Sequence, residues 1–197
     1  MNNKAKSALK IFVALLVFVF ISIMLLFVRD AAYPQQYSTT NVSDYGKYVG
    51  NYDNDFPEEF INSFFPEKIE INFSDVKYSY RAQKGDTYAF EAYLEFQIEK
   101  ESEFQSYVYE KIGNSAMNFK YDSDFKEYVI FDEFQLNGEE SKSIRGAKIG
   151  KILYSEKNQR IIYVAIGVYD GGMVTTDFLC KYFERFDIDP IKYAISK

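Results

Sequence analysis

The longest hydrophobic pattern in the chain is an unbroken apolar run over residues 11–28, in which Ser22 is the only polar residue. Leu, Ile, Val and Phe occupy every face of a helix drawn through this run, whereas a helix buried in a soluble core usually keeps a polar stripe. At about 1.5 Å per residue the run would extend about 27 Å, close to the bilayer's hydrocarbon core of about 30 Å. The pattern therefore predicts a transmembrane helix.

The charges that flank this run predict its orientation. Lysines precede it, and Arg29 and Asp30 follow it. Because cytoplasmic flanks are enriched in Lys and Arg, we expect a cytoplasmic tip at residues 1–10 and an extracytoplasmic remainder. A cleaved signal peptide is the alternative, but its apolar region is typically only about 7–15 residues long, and Asp30 does not suit a cleavage site. An uncleaved signal anchor in the cell membrane is therefore favoured.

The residues that follow the apolar run separate it from a folded domain. They are polar and without periodicity, which predicts a tether over residues 29–54. An Asp-Phe-Pro-Glu sequence from residue 55 has the order typical of a helix start, so we expect a short helix over 57–64. The folded domain is accordingly expected over residues 55–197, a length that can bury a sizeable core without disulfides.

A first hairpin is predicted where apolar and polar residues alternate over 76–80 and again over 88–98, on either side of a Gly-Asp turn. In the second of these strands, Glu91, Glu95 and Gln97 lie on the face opposite the apolar residues. That strand is therefore expected to be half-buried, with its charged face towards solvent.

A second hairpin is expected between residues 147–155 and 160–169. Its second strand is apolar on both faces, as a central strand covered on each side would be. A further strand is expected over 127–136, and helical spacing predicts helices over 99–112 and 177–186. The fold class that follows is α+β, a mainly antiparallel sheet of about five strands packed with helices behind the transmembrane helix.

Composition removes several classes of chemistry. The chain has no His and a single cysteine, Cys180. A Ser-His-Asp triad, the Cys-His pair of an anchored cysteine transpeptidase, an imidazole zinc site and an intramolecular disulfide are therefore excluded, and no role is assigned to Cys180. The formal charge is −6, and the part beyond residue 30 is more acidic, with 19 cationic and 28 anionic residues. We therefore expect no nucleic-acid partner.

Several short motifs could carry chemistry, and each has a plainer interpretation. Ser74 and Lys77 have the spacing of a Ser-x-x-Lys motif, but they enter a predicted strand and lack the partner motifs. The run Asp170-Gly171-Gly172 could bind an anion, although the following acidic residue Asp177 favours a simple strand-to-helix turn. Four acidic residues could gather around Ca²⁺, although capping of a helix start explains them better: Asp53, Asp55, Glu58 and Glu59.

The tyrosines are the remaining candidates. Most fall in alternating or helical patterns and are expected to pack against the sheet, but an exposed row on a strand could bind a glycan or a protein. They are Tyr78, Tyr80, Tyr88, Tyr93, Tyr107, Tyr109, Tyr163 and Tyr169. No residue is assigned a catalytic, cofactor-binding or metal-binding role.

The sequence favours a non-enzymatic domain that binds a protein or an envelope polymer through its sheet face or a loop, with residues 11–28 in contact with the membrane. One alternative is a glycan or cell-wall hydrolase that uses two carboxylates, since such chemistry needs no His. Another is a regulatory or protective subunit of a membrane complex, for which the transmembrane helix would be the contact.

Overall fold

The structure, a computed structural model, describes residues 3–32, 35–49, 61–84, 88–136, 143–169, 174–175 and 181–196. The chain divides into two compact units, Met1–Gln35 and Gln36–Lys197. Each unit is described by itself below.

The first unit contains helix α1, Asn3–Ala32. Among the residues that the structure describes, no helix is long and apolar enough to cross a membrane. The prediction of a transmembrane signal anchor over residues 11–28 is therefore wrong.

Within the described residues, the second unit is built on one sheet of eight strands. Seven follow one path in the order β1-β2-β3-β7-β6-β5-β4, and β8 pairs with β6 outside that path. All pairings whose register is described are antiparallel. The strands are β1 Gln35–Thr39, β2 Ser74–Lys84, β3 Tyr88–Gln97, β4 Met117–Asn118, β5 Lys126–Leu136, β6 Ser143–Ser155, β7 Arg160–Tyr169 and β8 Val174–Thr175.

Both predicted hairpins are present, as β2 with β3 and β6 with β7, and the predicted strand over 127–136 is β5. The expected number of about five strands was wrong, because β1, β4 and β8 had not been predicted. The strands β4 and β8 have two residues each, too few for an alternating pattern, and β1 has a single apolar residue, Tyr37.

Short helices surround the sheet. They are a 3₁₀ turn Val42–Asp44, α2 Tyr45–Tyr48, α3 Glu101–Lys111, α4 Lys181–Arg185 and α5 Pro190–Ile195. The helix predicted over 99–112 is confirmed as α3, and Gly113 follows it with φ +64°. Only α4 represents the helix predicted over 177–186, since 176–180 lie outside the described residues, as do the first residues of the helix predicted over 57–64.

Each face of the sheet packs against its own layer, which confirms the α+β arrangement. On one face, here called the α3 face, Phe90, Leu94 and Phe96 of β3 pack in one core with Phe104 and Val108 of α3. The other face, here called the C-terminal face, is covered by α4 and α5. Its core includes Tyr93, Ile149, Ile162, Val164, Tyr182, Phe183 and Tyr193.

The two central strands, β3 and β7, are therefore covered on both faces. In β7 all residues from 161 to 168 except Gly167 belong to a buried core, which confirms the prediction for this strand. The prediction for β3 was wrong, because Glu91 and Glu95 are only 0% and 2% exposed. These carboxylates tolerate burial because hydrogen-bond donors and cations meet them on the C-terminal face.

Part of the predicted tether over residues 29–54 belongs to the second unit. It contains β1 and α2, and Tyr45 and Val49 are buried in the core of the α3 face. The Tyr45 hydroxyl donates a hydrogen bond to the carbonyl of Pro66 at 2.5 Å. Polar composition had suggested a linker, whereas Val42 and Tyr48 of this segment also pack against that core.

Candidate functional site

The predicted Ser-x-x-Lys motif does not form a catalytic pair. Ser74 Oγ donates to the carbonyl of Gln97 at 3.3 Å, and Lys77 Nζ lies 3.6 Å from Glu95 and 3.7 Å from Asp75. Asp75, which has a φ of 45°, also accepts a hydrogen bond from Arg160 at 2.6 Å. These residues join the end of β2 to its neighbours, so their role is structural.

The other motifs cannot be placed. Asp170–Gly172, Asp177 and Cys180 lie outside the described residues, as do the four acidic residues considered for Ca²⁺, which are Asp53, Asp55, Glu58 and Glu59. Within the described part of the chain, no group of His, Cys, Asp or Glu side chains could hold a metal ion.

The tyrosines mostly pack, as the plainer interpretation expected. Tyr78, Tyr80, Tyr93 and Tyr163 are 5% exposed or less, so they do not form an exposed row. Tyr163 instead shares a hydrogen bond with Tyr107, with 3.0 Å between the hydroxyls. Tyr109 is 72% exposed, but it lies on α3 and not on a strand.

The C-terminal face contains buried charges, and the first is Glu91. Its carboxylate accepts hydrogen bonds from the backbone N–H groups of Tyr182, at 2.9 Å, and Lys181, at 3.3 Å. It thereby satisfies donors at the start of α4 that have no partner within the helix. Burial raises the pKa of Glu91, and the two backbone donors oppose this effect only in part.

Glu95, four residues further along β3 on the same face, has a different environment. It accepts hydrogen bonds from Arg160 at 2.7 Å and from the Tyr93 hydroxyl at 2.6 Å, and the Arg185 Nε lies 3.5 Å away. Burial acts to raise the pKa of Glu95, but the Tyr93 hydroxyl and the nearby cations outweigh it, and the pKa falls below its ordinary value.

The third buried charge is Lys151 of β6, which is 1% exposed. Its Nζ lies 3.2 Å from Glu127 and 3.4 Å from Asp132, and 5.2 Å from the ring centroid of Tyr193. The Tyr193 hydroxyl donates to Asp132 at 2.6 Å. These contacts hold α5 on the sheet, just as Glu91 holds α4.

A bulge in β5 places Asp132 in this network. Val129 pairs with Lys151 and Phe131 with Gly150, so Ile130 is an extra residue in β5. Ile130 and Phe131 both pack against the core of the α3 face, and the next residue, Asp132, lies opposite Ile149 of the C-terminal face. A one-residue insertion was not visible in the sequence, since it leaves the apolar run over 128–131 uninterrupted.

The buried carboxylates are bound to the fold and closed off from a substrate. Glu91 is occupied by two backbone N–H groups and Glu95 by Arg160 and Tyr93, and α4 lies over this part of the face. A general acid must be within hydrogen-bond reach of a bound substrate. This pair of glutamates therefore stabilises the position of α4 and has no access to a glycan.

A groove of about 580 Å³ lies on the α3 face between residues 62–70, the end of α3, and strands β5 and β6. Apolar side chains contribute to its lining: Phe64, Phe65, Tyr128, Ile130 and Ile152. Charged side chains also line it: Glu67, Lys68, Glu70, Glu110 and Lys111. The sequence had not predicted this groove, because its walls come from segments far apart in the chain.

No protein-family model, curated protein or solved structure matches this chain. The groove and the strands beside it are therefore the features of the molecule that bear on function.

Proposed function

We propose that this protein is a non-catalytic binding domain that holds a partner protein at the groove on the α3 face. The observation that carries the proposal is the lining of the groove, which combines apolar side chains of β5 and β6 with charged residues of both signs. Protein interfaces have this composition, with apolar and aromatic residues at the centre and a polar, solvated rim.

The size of the groove also suits an interface. A volume of about 580 Å³ accommodates several side chains of a partner, within the range typical of binding sites. Tyr128 and Ile130 are only partly buried against the core, so a partner could remove further apolar surface from water.

Hydrolysis by two carboxylates is less well supported. Two buried carboxylates with shifted pKa, Glu91 and Glu95, have their partners on the face opposite the groove. Of the groove carboxylates, Glu110 is bonded to Lys111 at 2.9 Å. Binding requires none of these groups to move a proton.

Site-specific photocross-linking tests the proposal. Benzoylphenylalanine placed at Ile130 should give one discrete protein adduct in cells that express the full chain, identified by mass spectrometry. The matched control is the same residue at Tyr109, which is exposed on α3 outside the groove, and it should not give that adduct. Absence of an adduct at Ile130, or the same adducts at both positions, would contradict binding at the groove.

A further inference from the structure

We propose that a second, smaller pocket on the α3 face binds an uncharged saccharide. The pocket has a volume of about 310 Å³ and lies between α3, the turn that follows this helix, and the strands β4, β5 and β6. It shares no lining residue with the groove. The inference therefore goes beyond the proposed function and does not rest on it.

Strand register brings three of the lining side chains into one row. Asn118 of β4 pairs with Lys126 of β5, and Lys126 pairs with Tyr154 of β6. Side chains of directly paired residues lie on the same face of a sheet, and Tyr154 belongs to the core of the α3 face. This row therefore forms one wall of the pocket, and Tyr154, which is 7% exposed, fixes the wall to the core.

Helix α3 supplies a second wall. Gln105 and Tyr109 are four residues apart, so they are neighbours on one face of the helix. Both line the pocket together with Val108, which packs in the core of the α3 face. Asn114 lines it from the turn after α3, next to Gly113 with its positive φ. Both walls are thus held by the core, as in ligand sites that are formed before the ligand binds.

Three carboxamide side chains line this pocket, those of Gln105, Asn114 and Asn118. All three are exposed, and within the part of the chain that the structure describes none of these groups has a hydrogen-bond partner. Each carboxamide offers both donors and an acceptor. Sugar hydroxyls likewise donate and accept, and adjacent hydroxyls of one ring present both functions side by side. Free carboxamides around one pocket therefore favour a polyhydroxylated ligand.

An exposed aromatic ring accompanies these carboxamides. Tyr109 is 72% exposed, and its ring contacts no other aromatic ring among the described residues. The face of an aromatic ring is negative and attracts weakly positive hydrogens. A pyranose ring presents such C–H groups on its flat side and hydroxyls at its edge. The tyrosine ring therefore suits the apolar side of a sugar, and the carboxamides suit its polar edge.

The charges at the pocket neutralise each other. Lys126 Nζ lies 2.8 Å from Glu156, and among the described residues these two are the only charged side chains in the lining. A phosphate or carboxylate ligand would have to compete with Glu156 for Lys126 and would be repelled by Glu156. The pocket therefore favours an uncharged ligand over an anionic one.

The size of the pocket favours a small ligand over a protein segment. Its volume of about 310 Å³ is at the lower end of the range for small-molecule sites. A specific protein interface buries more than about 1,000 Å² of surface, for which a pocket of this size is too small on its own. We therefore expect it to hold about one or two sugar rings.

Four uncharged disaccharides test this inference on the full chain: maltose, cellobiose, lactose and di-N-acetylchitobiose. We expect at least one of them to bind with a Kd of about 1 mM or tighter, measured by calorimetry. In NMR spectra, that sugar should shift the side-chain amide signals of Gln105, Asn114 and Asn118, and it should leave the signal of Asn62 in the groove unchanged. Absence of binding by all four sugars, or shifts confined to other residues, would overturn the inference.

Variants of the exposed tyrosine provide the second arm. Tyr109→Ala removes the aromatic ring and should weaken binding of that sugar about tenfold or more, whereas Tyr109→Phe keeps the ring and should bind within about twofold of wild type. Met117→Ala is the matched control, because Met117 is also 72% exposed and precedes Asn118 but does not line the pocket. Equal losses in Tyr109→Ala and Met117→Ala would show that the ring is not the binding platform and that the assigned site is wrong.

The two proposals can fail separately. If the Ile130 cross-link captures a partner protein but none of the four disaccharides binds, the groove is an interface and the saccharide site is wrong. If a disaccharide binds at the pocket but the Ile130 cross-link gives no adduct, the saccharide site is supported and the proposed function is wrong.

Discussion

The pKa values of Glu91 and Glu95 shift in opposite directions, although both residues are buried on the same face of the same strand. Burial raises the pKa of Glu91 above its ordinary value near 4.5, and the two backbone N–H groups and the charges of Arg81 and Lys181 oppose this effect only in part. Glu95 meets Arg160, Arg185 and the Tyr93 hydroxyl, and its pKa is lowered. The direction of each pKa shift therefore depends on whether the hydrogen bonds and nearby cations outweigh the effect of burial.

These shifts predict opposite effects of pH on two glutamine variants. Because the folded pKa of Glu91 is raised, its contribution to stability is complete below pH 4.5 and is lost as the pH rises through the folded pKa. The variant Glu91→Gln has no carboxylate to ionise. Its free energy of unfolding relative to wild type should therefore increase as the pH rises above about 4.5. Urea unfolding between about pH 3 and pH 8 measures this difference.

Glu95→Gln is the matched comparison. The lowered pKa of Glu95 gives stability that is complete above pH 4.5 and is lost as the pH falls through the folded pKa. The variant leaves Arg160 and Arg185 without this partner, and we expect it to cost about 3 kcal/mol at neutral pH and progressively less below pH 4.5. If the free energy of unfolding of each variant differs from that of wild type by the same amount at every pH, the assigned environments are wrong.

At the scale of elements, the sequence predicted the parts whose pattern is long. The alternation in β2 and β3, the doubly apolar β7 and the helical spacing of α3 all appear where they were expected. The two-residue strands β4 and β8 could not be predicted, since their pairing depends on longer strands beside them. The burial of Glu91 and Glu95 was missed because alternation alone reports polarity, and a polar face can be covered when donors and cations meet it.

The residue that follows α3, Gly113, allows a test of the backbone conformation at the end of the helix. Gly113 has φ +64°, and its N–H donates to the carbonyl of Tyr109 at 3.0 Å. Gly113→Ala should cost about 1 kcal/mol in the free energy of unfolding, because a Cβ disfavours this left-handed conformation. Gly46→Ala in α2 is the control, since an added Cβ meets no atom within 4 Å there and should change stability by less. Equal losses in urea unfolding would contradict the assigned cap.

At the scale of the whole molecule, the groove and the C-terminal face depend on long-range pairing. The groove combines residues 62–70 with α3 and β5, and the cover of the opposite face combines Glu91 of β3 with α4. Such combinations follow from the strand order, in which β3 lies beside β7 and β7 beside β6. A single sequence predicted the hairpins but not that order, so neither site could be located before the sheet was known.

The segment that covers the C-terminal face is expected to open separately from the sheet. Residues 181–196 are held on the C-terminal face by Glu91 at one end and by the Tyr193 hydroxyl, bonded to Asp132, at the other. Tyr193→Phe removes the second of these bonds. Because loss of a hydrogen bond typically costs about 1 kcal/mol, the amides of residues 182–193 should exchange with solvent about fivefold to tenfold faster.

The amides of β7, which is paired on both sides and covered on both faces, should keep their exchange rates in this variant. Tyr109→Phe, which removes a hydroxyl at an exposed position, should change neither set of amides. If the β7 amides accelerate as much as those of 182–193, the C-terminal segment does not open separately, and the sheet and its cover unfold as one unit. If only the amides of 182–193 accelerate, the segment that covers the C-terminal face is less stable than the sheet and opens without it.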